Sequence, residues 1–168
     1  INPDTVPLTG LARKALRLLI PLLAFALPLH AQEKVAHARV VSKAPVIDGQ
    51  LDEAVWQEAI PISDFTEVTP NEGLPANPKT EVRILRTKTH LYFGFTCLDP
   101  DPSSLVLQQM KRDAYLRVED RVEIILDTFH DGKNAYFFQV SAAGSRGDAL
   151  IGANGKAFNK QWDAFWKA

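Results

Sequence analysis

The sequence predicts an all-β protein: an antiparallel β-sandwich of immunoglobulin-like or jelly-roll-like type, with one short helix near residues 51–59. Three observations predict it. Beyond residue 79, apolar residues recur at every second position in short runs, the period of a half-buried strand. Clusters of Gly, Pro, Asn and Asp separate those runs. Only one segment carries helical spacing, which is too little helix for the βαβ units that a parallel sheet requires. Roughly six to eight short strands punctuated by turns fit two stacked sheets.

The elements follow in order. Lys34–Val41 reads as the opening strand. Pro45 and the Ile47-Asp48-Gly49 turn signal end it. Leu51, Val55, Trp56 and Ala59 then share a helical face, Asp52 is placed to cap it, and Pro61 stops it. Trp56 falls on the inner stripe of that helix, so it is expected in the core. Thr66–Pro78, rich in Pro, Asn and Gly, is a loop.

Thr80–Arg86 alternates, with Val82 and Ile84 on one face and Glu81 and Arg83 on the other. Thr87–His90 turns the chain into Leu91–Leu98, which sets Leu91, Phe93, Phe95 and Cys97 on a common face. Asp99-Pro100-Asp101-Pro102 breaks the pattern, because proline supplies no ladder donor. Leu105–Met110 reads as a further strand. Arg121–Thr128 and Tyr136–Val140 form a hairpin around the Asp131-Gly132 turn signal. Gly144 and Gly147 mark turns before Ala149–Ile151. In Gln161–Ala168, Trp162 and Trp166 share a face whether the segment is strand or helix.

Composition narrows the classes. The chain has 168 residues, 46% hydrophobic and 23% charged, with a net charge of −1. That apolar fraction excludes a disordered chain. The charge provides no basis for nucleic acid as the main partner of the chain as a whole. One cysteine, Cys97, excludes an internal disulfide, and its place in an apolar run predicts a buried, inert thiol.

Residues 1–31 read as a signal peptide with an upstream extension, and residues 32–168 as the exported domain. Arg13, Lys14 and Arg17 precede an uncharged run from Leu18 to Leu29, and Ala31 is a small residue suited to cleavage. A buried helix and an uncleaved anchor are the alternatives; Pro21, Pro28 and the lack of a polar stripe argue against the first. The only methionine is Met110, so the sequence reads as a piece of a larger reading frame. Removing residues 1–31 takes away Arg13, Lys14, Arg17 and Asp4, which leaves 16 basic and 19 acidic residues, a net charge of −3.

No nucleophile elbow, zinc-protease motif or phosphate loop appears. His37, His90 and His130 lack ligand spacing. The carboxylates are too many to single out the two that a glycosidase would need. Glu119, Asp120, Asp127 and Asp131 are candidate ligands for Ca²⁺, which takes six to eight oxygens, although their spacing equally suits solvated strand ends. Trp162, Trp166 and Phe65 are candidate platforms for the C–H face of a sugar; filling the core is the competing role.

A resemblance adds to this. Val46-Ile47-Asp48-Gly49-Gln50-Leu51-Asp52-Glu53-Ala54-Val55-Trp56 resembles the opening of a family 9 carbohydrate-binding module. Thr80–Leu85, Leu91–Phe95, Arg112-Asp113, Asp120–Phe129, Asp131–Phe138 and Trp162–Trp166 follow in the family's order. The version most similar stands at the N-terminus of large exported bacterial proteins that end in an outer-membrane barrel.

The resemblance implies a β-sandwich, binding of poly- or oligosaccharide, frequent structural calcium, and an attached glycoside hydrolase or other carbohydrate-catabolic partner. The module itself is non-catalytic. Arg112 and Asp113 join Trp162, Trp166 and Phe65 as implied sugar contacts. The family pattern continues with another strand past the Trp-Asp segment, so a domain cut short at Ala168 is expected. Two further readings stand beside it: a periplasmic or surface interaction domain that has lost sugar binding, and, last, a hydrolase.

Overall fold

The computed structural model describes residues 34–168, of which 35–168 form one compact unit. The leader reading lies outside the described residues. Seven strands, one helical turn and one 3₁₀ turn make two sheets: β1 (Arg39–Val40), α1 (Ala54–Gln57), β2 (Thr80–Arg86), β3 (Leu91–Cys97), the 3₁₀ turn Pro102–Ser104, β4 (Arg121–Leu126), β5 (Ala135–Ser141), β6 (Arg146–Gly152) and β7 (Ala157–Asn159). One sheet has the order β1-β2-β3 and the other β4-β5-β6-β7. The all-β, two-sheet character is as the sequence predicts.

Several details differ. The opening strand is only two residues long and pairs parallel to β2, Arg39 opposite Leu85, so the sandwich is not wholly antiparallel. The helix is one turn, and Glu53 rather than Asp52 sits at its N-cap. There the Glu53 side chain makes no capping bond. It instead accepts from Val46 N–H (2.6 Å) and from the Trp56 indole (3.0 Å), tying the chain before the helix to the helix itself.

Leu105–Met110 is not a strand. Val106 N–H donates to Asp120 Oδ2 (2.7 Å) and Gln108 N–H to Glu119 Oε2 (3.0 Å). Carboxylates take the alternate amides that a neighbouring strand would otherwise have paired. β7 is a short edge strand that the turn-rich Gly152–Gly155 region hides from periodicity.

The densest core lies on one face of the three-stranded sheet. Val41, Trp56, Ala59 and Leu85 are buried there, with Leu51, Val55 and Tyr92 packed against them. Trp56 is 2% exposed, as its place on the helical stripe predicts. Gly94 in β3 lets the helix seat: a Cβ there would lie 2.9 Å from both Leu51 Cδ2 and Trp56 Cζ3. Arg83, from β2, donates to the carbonyls of Trp56 (3.2 Å) and Ala59 (2.8 Å) and so satisfies the end of the helix.

Candidate functional site

The other face of the three-stranded sheet is apolar too, but it is not closed. Register places Leu91, Phe93 and Phe95 of β3 on one side together, opposite Arg86, Ile84 and Val82 of β2. In the second sheet, Val122, Ile124 and Leu126 of β4 stand opposite Val140, Phe138 and Tyr136 of β5. Between these two inner faces runs a groove of about 640 Å³, lined by those β3 and β4 residues, by Phe138 and Val140, and by Phe165 and Trp166. Most of the inward side chains are therefore half-buried rather than buried, unlike Leu85 and Trp56 on the helix side.

Cys97 continues the groove face of β3 but lies past its end. It is exposed, contrary to the burial predicted from its apolar run. Alternation assigns its face correctly; among the described residues nothing covers that end of the strand.

The last described segment lies over β5 without joining its ladder. Trp162 packs on Tyr136, with ring centroids 5.1 Å apart, and edge-on to Phe138 at 6.2 Å. Trp166 meets Phe138 edge-on at 5.2 Å, and the Arg146 guanidinium sits 5.8 Å from its ring centre. Trp162, Ala164 and Trp166 are half-buried while Gln161, Asp163, Phe165 and Lys167 are exposed, the two-residue period of an extended chain. Phe165 is fully exposed. The indole Nε1 of Trp166 is buried without an acceptor among the described residues.

What fixes this segment is the cluster around Arg112. Asp148 in β6 has a side chain only 1% exposed, and it stands opposite Phe138, on the same face as the tryptophans. Its Oδ1 accepts from Arg112 Nη2 (2.8 Å) and its Oδ2 from Ala164 N–H (2.6 Å). Arg112 also pairs with Asp163 and, at 3.3 Å, with Asp113. Asp113 in turn accepts from Asp148 N–H (3.4 Å). Partial loss of water lowers the Arg112 pKa, but the carboxylates of Asp148, Asp163 and Asp113 outweigh it and hold the pKa above the usual value. Arg112 and Asp113 are thus engaged in latching the tryptophan segment to the sheet.

Asp148 and Asp163 complete this latch, and neither is among the residues the sequence nominates for the site. Asp148 sits where an alternating strand turns its side chain inward among Tyr136, Phe138 and Leu150. A carboxylate facing the aromatic side of β5, with Arg146 on the same face of β6, is the available signal. Phe65 is exposed, one residue before the bridge between Thr66 and Pro75, and it is not among the residues that line the groove.

The four candidate calcium ligands are occupied in another way. Asp127 accepts from the amides of Phe129 (3.1 Å), Asp131 (3.3 Å) and Gly132 (2.7 Å). Asp131 accepts from Lys133 N–H (2.7 Å), Asn134 N–H (2.9 Å) and the Asn134 side chain (2.7 Å). These bonds favour the ionised forms: the Gly132 amide foremost lowers the Asp127 pKa, and the Asn134 amide foremost that of Asp131. Glu119 and Asp120 hold the 105–110 segment, as above. No group of three or more His, Cys, Asp or Glu side chains converges among the described residues.

Comparison of the chain with family models, with curated proteins and with solved structures returned no match.

Proposed function

We propose that the domain is an exported, non-catalytic carbohydrate-binding module that grips poly- or oligosaccharide and targets an attached protein, such as a glycoside hydrolase, to its glycan. The observation that carries this reading is the groove itself. Its rings, Trp166 and Phe165 at the C-terminal segment and Phe93 and Phe95 on β3, border a space of about 640 Å³. Thr89, His90 and Lys167 add hydrogen-bonding groups to that lining. Ring faces suit the C–H faces of a pyranose, and a few polar groups at a rim set its orientation.

This reading gives Trp166 and Phe165, which line the groove, the contact with ligand, while Trp162 packs beside them on Tyr136 and Phe138 and Arg112 and Asp113 hold the segment. The attached region, whether a hydrolase or an outer-membrane barrel, belongs to the reading inherited from the family resemblance.

A second reading, a periplasmic or surface interaction domain without sugar binding, is favoured by one feature. Most of the groove lining is aliphatic or phenyl, which also suits an apolar peptide. Affinity electrophoresis of the full chain through gels containing a panel of neutral and acidic polysaccharides separates the two. The module reading expects retardation by at least one glycan, weakened roughly 2–12-fold in Trp166→Ala, as loss of a stacked ring should do. No retardation by any glycan, with the protein shown folded by thermal denaturation, overturns it.

A further inference from the structure

A second cleft opens beside the groove and has opposite character. It encloses about 870 Å³ and is lined by Arg39, Lys43, Arg86 and Lys88, with Glu58 the only carboxylate among the described residues. Arg39 is taken up by Glu58, through Nε at 3.1 Å and Nη2 at 2.7 Å. Lys43, Arg86 and Lys88 are exposed and have no carboxylate partner among the described residues. Four cations against one carboxylate leave an excess of three positive charges in one concavity, on a chain whose net charge is −1. A cleft with such walls focuses its field outward and concentrates anions.

Other features of the cleft narrow the kind of anion. Val40 and Val55 supply apolar surface between the cations, and Ser42, Thr87 and Thr89 supply hydroxyls. Among the described residues no aromatic ring lines it, and single-stranded nucleic acid relies on such stacking platforms. Thr89 lines both the cleft and the ring-lined groove, so the β2–β3 turn borders both.

We propose that this cleft is the anionic subsite of the glycan site, taking the carboxylate or sulfate groups of an acidic polysaccharide whose neighbouring sugars lie along the groove. The proposal rests on the module reading above and adds the substrate class to it.

The test is affinity electrophoresis of the full chain in two matched pairs of gels: polygalacturonate against its carboxyl-reduced form, and dextran sulfate against dextran. Retardation should be strong in an acidic gel and weak in its neutral partner. It should fall as NaCl rises from about 50 mM to about 300 mM, because these charges are exposed to screening. Lys43→Gln with Lys88→Gln should weaken it by roughly 4–25-fold, since each exposed charge contributes roughly 2–5-fold.

Equal retardation in acidic and neutral gels, or an unchanged double variant, overturns the anionic subsite while leaving the module reading in place. Retardation in none of the gels, with the protein folded, sinks both. A single-stranded oligonucleotide bound as tightly as polygalacturonate also overturns the proposal, since the cleft would then select charge and not sugar. These lysines are exposed and contribute to no core packing, so the variants should melt with the parent protein.

Discussion

Replacing Asp148 with Asn tests whether the Arg112 cluster holds the groove wall in place. The carboxylate is buried and serves two donors, Arg112 Nη2 at 2.8 Å and Ala164 N–H at 2.6 Å. An amide keeps one acceptor oxygen and presents an NH₂ group, so one donor must face another donor. A charge-assisted hydrogen bond of this kind contributes about 1.5–3 kcal/mol. The loss stays below the 3–5 kcal/mol typical of stranding a buried charge, because Arg112 retains Asp163 and Asp113.

About 2–3 kcal/mol is therefore expected, and a domain of this size loses roughly 3–5 °C of melting temperature per kcal/mol, or about 6–15 °C in all. The damage should be local first. Trp162 and Trp166 should shift to longer-wavelength emission while Trp56, held in the helix-side core, stays unchanged, and the Ala164 amide should exchange faster. Asp163→Asn is the control: its side chain is 74% exposed, so less than about 1 kcal/mol is expected. A melting temperature for Asp148→Asn within about 2 °C of the parent, with unaltered emission, would refute the latch.

Other outcomes follow from the same geometry. Gly94→Ala should destabilise by about 1–3 kcal/mol in chemical denaturation, since its Cβ would meet Leu51 and the confined Trp56 at 2.9 Å; a neutral effect would mean the helix-side core is loosely packed. Asp127 and Asp131 have pKa values below the usual 3.8, so the stability they contribute is present above that value and is lost only as the pH falls through their lowered folded values. Asp127→Asn should accordingly flatten the acid limb of the stability curve below about pH 4 and speed exchange at the Gly132 amide; an unchanged acid limb contradicts this. Cys97 should react with a thiol reagent in the native protein as fast as in denaturant, within about a factor of 10, whereas strong native protection would restore the buried thiol that its sequence pattern suggests.

Much of this protein was legible in one dimension because strand periodicity is local. Thr80–Arg86 is found with the bounds its alternation predicts, and β4 and β5 flank the Asp131-Gly132 turn as expected. That Val122, Ile124 and Leu126 share one face of β4, and that Trp56 is core, follow from side-chain period; that β2 also buries Leu85, and β5 Phe137, on the opposite face does not. The exceptions share one cause. Leu105–Met110 has strand-like composition, yet Glu119 and Asp120, distant in sequence, capture its amides. Cys97 lies on the correct face, but exposure depends on what covers that face.

The site divides along the same line. The sequence could nominate Trp162, Trp166, Arg112 and Asp113 as residue types suited to a sugar. Only the tertiary structure decided that Asp148 and Asp163 gather Arg112 into a latch, that Phe65 lies elsewhere, and that Trp166 borders an open groove. Alternation is a property of neighbouring residues along the chain. A carboxylate's partner and a groove's walls depend on segments brought together by folding, and no local pattern records that meeting.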